Sequence, residues 1–227
     1  MKERPILFRA PMVRAILAGQ KTVTRRPVRH QPDVPVTDAI PRRNYPHGPA
    51  SADWYWRPKH GHLNGVPSAG WDFKCPYGQP GDRLWVRETW YCDHFEVQQG
   101  PYLQPADMID LNRSREDGEL VYAADGRTPY EQEQPTWKPN IHMPRWASRI
   151  LLEITDVRVE RLQDISLAQV RKEGCEVREF WLFGSDAEER QKIGARVFGN
   201  LWASINGEES WHSNPWTWVI EFKRVTP

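Results

Sequence analysis

The chain has 227 residues, of which 39% are hydrophobic and 27% charged, and its formal net charge is +1. That length favours one large domain or two small ones, and the near-neutral charge does not by itself indicate a nucleic-acid binder. Short hydrophobic runs predict neither a membrane helix nor a signal peptide, and three scattered cysteines predict no disulfide framework. We therefore expect a cytoplasmic protein that does not contact membranes.

The first 43 residues predict a helix, a strand and a basic surface. Apolar side chains spaced three and four apart indicate a helix over 10–19, which Gly19 ends. The alternating, β-branched segment 22–26 indicates a strand that stops at Pro27. Ten Lys or Arg residues accompany only three acids in this part of the chain. They predict either a surface aimed at phosphates or an ordinary solvated face balanced by acids elsewhere.

The rest of the chain alternates insertions with regular elements. Residues 27–79 are rich in proline and predict a long ordered insertion, and the mostly polar residues 92–143 predict a second one. A strand is expected over 83–91, between the insertions. Downstream, the patterns predict a long strand within 146–162 that changes phase near Thr155, a helix ending at Gly174, a helix over 187–205 and a last strand over 216–225. Few helices and long strands favour an α+β fold with a small β-barrel and helices on its rim.

The segment from Gly19 to Arg26 concentrates residues that can carry chemistry. Alternation along the predicted strand puts Thr22, Thr24 and Arg26 on one face, and Lys21 at the preceding turn can lean over that face. A lysine beside a threonine hydroxyl is a candidate base and nucleophile. Lysine is protonated in water at neutral pH, so this role needs burial or adjacent cations to favour the neutral amine. The spacing alone favours a plainer interpretation, a threonine-rich strand flanked by solvated charges.

These residues resemble the signature of the ASCH domain, a relative of the PUA-like RNA-binding barrels. The signature reads Gly-x-Lys-x-x-Glu-x-Arg, which Gly19, Lys21 and Arg26 match, while Thr24 stands in place of the Glu. The threonine form resembles small bacterial ASCH amidohydrolases that remove acetyl from N4-acetylcytidine. The long insertions look more like those of larger ASCH proteins of bacteriophages and prophages. The similarity covers about 5–26, 80–91, 145–175 and 215–225.

The resemblance implies a single PUA-like ASCH domain over 1–227, interrupted by the two insertions, and a catalytic triad of Lys21, Thr24 and Glu173. Unprotonated Lys21 would take the proton of Thr24, which would attack the acetyl carbonyl to give an ester that water clears. Glu173 would hold Lys21 or hydrogen-bond the exocyclic amine. A carboxylate beside Lys21 would also favour the protonated lysine, which opposes its role as a base.

Other residues are candidates for binding the substrate. Arg25 and Arg26 are expected at the mouth of the cleft, where Arg26 would stabilise an oxyanion or hold a carboxylate. Trp54, Trp56 and Trp71 lie in the insertion next to the basic segment and are candidate platforms for base stacking. No cofactor or metal is predicted, because the scattered His and Cys residues lack the paired spacing of a zinc site.

We therefore expect a protein that recognises RNA or a modified nucleoside, and in the sharpest form hydrolyses an N4-acylated cytosine. The alternatives are a binding module without catalysis and a ribonuclease that uses the same basic cleft. The sequence identifies no protein partner.

Overall fold

The computed structural model describes residues 1–41, 53–59, 72–100, 102–127 and 136–225. The elements in chain order are β1 (Glu3–Leu7), α1 (Ala10–Leu17), β2 (Val23–Pro27), β3 (Val36–Pro41), β4 (Trp54–Pro58), β5 (Asp72–Phe73), β6 (Arg83–Arg87), β7 (Trp90–Cys92), α2 (Phe95–Gln99), α3 (Leu111–Glu116), β8 (Leu120–Tyr122), β9 (Leu151–Arg161), α4 (Leu167–Lys172), α5 (Ala187–Asn206), α6 (Glu209–His212) and β10 (Trp216–Val225). None of the helices in these ranges combines the length and the apolar composition needed to cross a membrane.

The chain divides into two compact units, each assembled from separate stretches of sequence. Unit 1 consists of Met1–Lys21, Gly81–Ile154 and Lys223–Pro227, and unit 2 consists of Thr22–Pro80 and Thr155–Phe222. β9 and β10 each contribute residues to both units.

In unit 1, β6 lies between β1 and the first part of β9. Its pairing with β1 is parallel and its pairing with β9 is antiparallel. β7 and β8 form a separate antiparallel pair. The second insertion folds against this pair around a buried apolar cluster, so its mostly polar composition conceals a core of its own. The buried members of the cluster are Trp90, Cys92, Val97, Met108, Leu120, Tyr122, Met143 and Ala147.

In unit 2, β10 lies between the second part of β9 and β2, and it pairs with β2 in antiparallel register. The first insertion adds a three-stranded antiparallel sheet in the order β3-β4-β5. The helices of this unit share a second apolar cluster, whose buried members are Leu162, Ile165, Val170, Val177, Leu182, Phe198 and Trp202.

The α+β class is confirmed, as are the helices and strands with the clearest sequence signals. α4 begins with a capping box between Ser166 and Gln169 and is followed by Gly174 at a φ of 82°. α5 begins at an Asp186 cap, and the buried residues of β9 change phase between Ile154 and Val157 as predicted. The described strands form open sheets rather than the predicted closed barrel.

The prediction of one strand over 83–91 is wrong. The strand breaks at Glu88 and Thr89, so that β6 and β7 pair with different partners. The cause is a contact distant in sequence. The Glu88 carboxylate turns into the interior and accepts two hydrogen bonds of 3.0 Å from the guanidinium of Arg149.

Candidate functional site

β2 carries three of the candidate residues on its two faces. The register pairs Thr24 with Ile220, Arg25 with Val219 and Arg26 with Trp218. Successive residues of a strand point to opposite faces, and directly opposed residues share a face. Thr24 and Arg26 therefore share the face of Trp218, and Arg25 lies on the other face. Thr24 and Arg25 are each only 4% exposed.

Arg25 brings two carboxylates together in unit 2. Its Nη2 donates to Glu160 Oε2 at 2.9 Å, and its Nη1 lies 3.5 Å from Glu173 Oε1. The guanidinium carbon is 5.9 Å from the centre of the Phe198 ring. With a side chain only 1% exposed, Arg25 needs this pairing, because an unpaired charge at such a position would be costly.

Glu173 reaches this position because the end of α4 is fixed to the start of β2. Glu173 is the residue after the last turn of α4, and Gly174 then reverses the chain. The N–H of Thr22 donates to the carbonyl of Lys172 at 2.8 Å, while the carbonyl of Thr22 accepts from the N–H of Phe222 at 2.9 Å. Two backbone hydrogen bonds thus connect the signature segment to both α4 and β10.

The pair of Arg25 and Glu160 continues into a wider set of charges on β9 and β10. Arg158 donates to Glu160 at 2.5 Å, to Asp156 at 2.9 Å and to Glu221 at 2.8 Å. Burial lowers the pKa of Arg158, but its hydrogen bonds to Glu160 and Glu221 outweigh that effect and leave the pKa above its usual value. Lys172 Nζ lies 3.9 Å from Glu221 Oε2. The network of charges therefore includes Lys172, the residue before Glu173.

Arg26 has a different environment from Arg25. Burial lowers the pKa of Arg26, while the charges of Tyr77 and Glu173 act in the opposite direction. Burial likewise raises the pKa of the Tyr77 phenol, against the effect of Arg26. Tyr77 belongs to the end of the first insertion, so this insertion contributes a polar group close to the signature strand.

Trp54 and Trp56 pack into an aromatic cluster of unit 2. The Trp56 ring stacks on Phe73 with centroids 4.4 Å apart, and the Trp54 ring meets Trp218 edge-on at 5.4 Å. Their exposed fractions are 7% and 2%, so a base reaches these indoles only if the cluster opens. The stacking role stays a prediction for both residues, and Trp71 lies outside the described residues.

Lys21 is held by the end of α1 in unit 1. Gly19 adopts a φ of 72°, and the N–H groups of Gln20 and Lys21 both donate to the carbonyl of Ala15, at 2.8 and 3.0 Å. The Lys21 side chain is buried, with Nζ 5.7 Å from the centre of the Phe8 ring. Because Thr24 and Glu173 belong to unit 2, the convergence of the three residues stays a prediction.

Two open clefts in unit 2 are lined by residues of α5. One of about 530 Å³ and one of about 360 Å³ are both lined by Arg196 and Asn200. Thr24 is only 4% exposed, so a substrate reaches its hydroxyl only if the neighbouring side chains move.

Sequence reasoning missed Glu160 and Tyr77. Glu160 sits in a strand whose alternation was clear, but its pairing with Arg25 joins residues far apart in sequence. Tyr77 precedes the turn at Gly81, in a segment without periodicity, and no local signal connects it to Arg26.

The arrangement can do two things chemically. On one face of β2, a threonine hydroxyl lies two residues from a guanidinium, which is a suitable pairing for a nucleophile and an oxyanion donor. A carboxylate at the end of α4, that of Glu173, lies near Arg25, which has a second anchor in Glu160, and its charge also acts on Arg26.

No protein-family model, no curated protein and no solved structure matches this chain. The resemblance to ASCH domains therefore rests on the residues quoted for it and stays a prediction.

Proposed function

We propose that this protein recognises RNA or a modified nucleoside, and that it hydrolyses the amide bond of N4-acetylcytidine or a related N4-acylated cytosine. One observation carries the proposal. The two segments that resemble the amidohydrolases, residues 19–26 and the end of α4, are about 150 residues apart in sequence. In unit 2 the Thr22 N–H nevertheless donates to the Lys172 carbonyl, and Arg25 lies 3.5 Å from Glu173.

The proposed reaction uses Thr24 as the nucleophile and Lys21 as its base. The Thr24 hydroxyl gives its proton to the neutral Lys21 amine, and its oxygen forms a bond to the acetyl carbon. Arg26, on the same face of β2, stabilises the negative charge that develops on the carbonyl oxygen. The carbon–nitrogen bond then breaks, and the exocyclic nitrogen leaves with a proton as the amine of cytidine.

A water molecule completes the reaction. It attacks the acetyl ester on Thr24, releasing acetate and restoring the hydroxyl. Glu173 holds the Lys21 amine or the exocyclic nitrogen during these steps. Burial of Lys21 supports its part, because loss of solvation favours the neutral form of an amine.

We also propose that the fold is an elaborated PUA-like ASCH fold. The segments with the resemblance contain β1, β2, β6, β9 and β10, the strands of the arrangements β1-β6-β9 and β9-β10-β2. The insertions supply the separate sheet β3-β4-β5 and most of the cluster around β7 and β8. An experimental structure of the chain with a bound nucleoside tests this relationship directly.

Recognition without catalysis is a second candidate. The observation that favours it is the burial of Thr24, whose exposed fraction is 4%. A hydroxyl so enclosed is poorly placed for attack unless the ligand opens the site.

The deciding experiment is a panel of cytidines with and without N4-acyl groups, followed by chromatography for release of cytidine. We expect hydrolysis of the acylated members, its loss in Thr24→Ala and Lys21→Ala, and partial activity in Thr24→Ser. Thr155→Ala is the matched control, because Thr155 is an exposed threonine in a strand of the same unit. A strand Thr-to-Ala change costs at most about 1 kcal/mol, so loss of folding should not explain loss of turnover.

Two results would change the proposed function. Full activity in Thr24→Ala rules out the nucleophile, and saturable binding without hydrolysis in the wild type supports the binding module. Titration with a single-stranded RNA oligomer at two salt concentrations separates the substrates further. Affinity that falls steeply with salt indicates contact with phosphates, and cleavage of the oligomer indicates the ribonuclease.

A further inference from the structure

Arg25 does not have the surroundings of a residue that binds substrate. Its side chain is only 1% exposed, and two carboxylates lie on its guanidinium nitrogens. A phosphate or carbonyl of a ligand would have to displace Glu160 or Glu173 from this guanidinium, and Glu173 is itself only 3% exposed. The guanidinium is therefore committed to the protein itself.

Arg25 and Glu173 form an ion pair that is longer than a typical charged hydrogen bond. The distance of 3.5 Å between Nη1 and Oε1 exceeds the 2.9 Å bond to Glu160. Nε and Nη1 of Arg25 are buried and form no hydrogen bond with any other residue that the structure describes. A displacement of a few tenths of an ångström would convert the ion pair into a hydrogen bond.

Contact with both Glu160 and Glu173 needs the separate nitrogens of a guanidinium. One nitrogen is anchored to Glu160, which Arg158 holds from the other side, and a second nitrogen remains directed at Glu173. A lysine at this position has a single ammonium group, which cannot span both carboxylates in the same way.

We propose that Arg25 is a positioning residue that sets the location of the Glu173 carboxylate, with Glu160 as its anchor. This inference rests on the proposed function, because Glu173 is a member of the proposed triad. Arg25 acts through Glu173 and does not touch the substrate.

The test is a double-mutant cycle between Arg25→Lys and Glu173→Gln on hydrolysis of N4-acetylcytidine. Arg25→Lys should lower kcat roughly 10- to 100-fold, as a misplaced catalytic group does, and change KM less than about 2-fold. In the Glu173→Gln background the same change should have no further effect on kcat. Arg171→Lys is the matched control, because Arg171 lies on α4 in an exposed pair with Glu179 and should leave both constants unchanged.

Three results would overturn the inference. An equal loss of kcat from Arg25→Lys in both backgrounds shows that Arg25 acts independently of Glu173. A change confined to KM shows that it binds substrate. Glu160→Gln, whose parent side chain is 24% exposed, provides a second variant if Arg25→Lys does not fold, and unchanged kcat in that variant also contradicts the inference.

Failure of the proposed function gives a different pattern. If the wild type binds N4-acetylcytidine without hydrolysing it, the triad is wrong as a catalyst, and the cycle is repeated on the dissociation constant. Coupling between Arg25 and Glu173 is still expected there, and additivity overturns the positioning role. A wild type that neither binds nor hydrolyses the nucleoside overturns both.

Discussion

Arg149 in unit 1 and Arg25 in unit 2 each lie between two carboxylates, but of the two only Arg149 has all three guanidinium nitrogens in hydrogen bonds. Arg149 donates four hydrogen bonds of 2.7 to 3.0 Å, two to Glu88 and two to Asp125. Within the part of the chain that the structure describes, the Arg25 side chain makes one hydrogen bond, to Glu160. A guanidinium whose three nitrogens are all hydrogen-bonded is a fixed cross-link. One with buried nitrogens that make no hydrogen bond to a described residue, like Arg25, can follow a shift of its partner.

Arg149 also lies closer to an aromatic ring than Arg25 does. The guanidinium of Arg149 lies 3.9 Å from the centre of the Tyr122 ring, whereas that of Arg25 lies 5.9 Å from Phe198. Burial lowers the pKa of Arg149, but its hydrogen bonds to Glu88 and Asp125 outweigh that effect and leave the pKa above the usual value. We infer that the Arg149 cluster serves the stability of unit 1.

The largest loss of stability is expected when Arg149 no longer links Glu88 and Asp125. Arg149→Met should reduce the free energy of unfolding by about 3 to 5 kcal/mol, because Glu88 is left buried without its partner. Urea denaturation followed by circular dichroism measures the change. Arg145→Met is the control, since its pair with Glu3 is exposed and should contribute less than about 1 kcal/mol. Equal losses for the two variants would contradict the structural role of Arg149.

Tyr122, which packs against Arg149, should make the stability of the protein fall at alkaline pH. Its phenol donates to the carbonyl of Ala147 at 2.7 Å, and burial raises its pKa to about 12. The folded state therefore favours the neutral phenol. The associated stability is fully present below the unfolded pKa near 10 and is lost as the pH rises through the folded pKa.

The stability advantage of wild type over Tyr122→Phe should thus shrink by about 2 kcal/mol between pH 9 and pH 12. Urea midpoints of the two proteins across this range provide the measurement. Subtracting the variant cancels the contribution of Tyr91, a further tyrosine whose pKa burial raises to about 12. Parallel pH profiles would show that Tyr122 keeps an ordinary pKa.

Arg25→Met sharpens the comparison, because the substitution matches the one at Arg149. We expect a loss of about 2 kcal/mol, smaller than at Arg149, because Glu160 keeps its hydrogen bond from Arg158 and Glu173 keeps the nearby charge of Arg26. The same urea titration measures it. If Arg25→Met destabilises the protein as much as Arg149→Met, the looser geometry of Arg25 has no energetic meaning.

The smallest effect is expected at the pair of Arg57 and Asp38 between β4 and β3. Both side chains are exposed, at 52% and 39%, although the Nε of Arg57 donates to Asp38 at 2.8 Å. Arg57→Met should change the free energy of unfolding by less than about 1 kcal/mol, and by less still in 1 M salt. A loss above 2 kcal/mol would show that hydrogen-bond geometry outweighs exposure in this protein.

Local signals in the sequence were sufficient for most of the elements outside the insertions. The cap at Ser166, the left-handed Gly174 and the apolar stripe of α5 each act within a few residues, so they could be predicted without knowledge of the fold. The insertions could not be predicted in this way. Their strands and clusters depend on partners such as Phe73 for Trp56 and Met143 for the region of β7, which are distant in sequence.

The candidate site was predictable to a smaller extent. Strand alternation correctly separated Arg25 from Thr24 and Arg26. It could not reveal that Arg25 would meet Glu160 and Glu173, since ion pairs across strands and helices depend on tertiary packing. For the same reason the break at Glu88 was invisible, because its cause is an arginine 61 residues further along the chain.

The discontinuous composition of the two units has a consequence for folding during synthesis. β1 cannot pair with β6 before residues 83–87 have left the ribosome. Likewise, β2 cannot pair with β10 before residues 217–221 have emerged. Until residues 217–221 emerge, residues 23–27 therefore lack their β10 partner, and they include three polar side chains that are buried or nearly buried in the folded protein. A strand that bears the charges of Arg25 and Arg26 is a poor template for association with other chains during that interval.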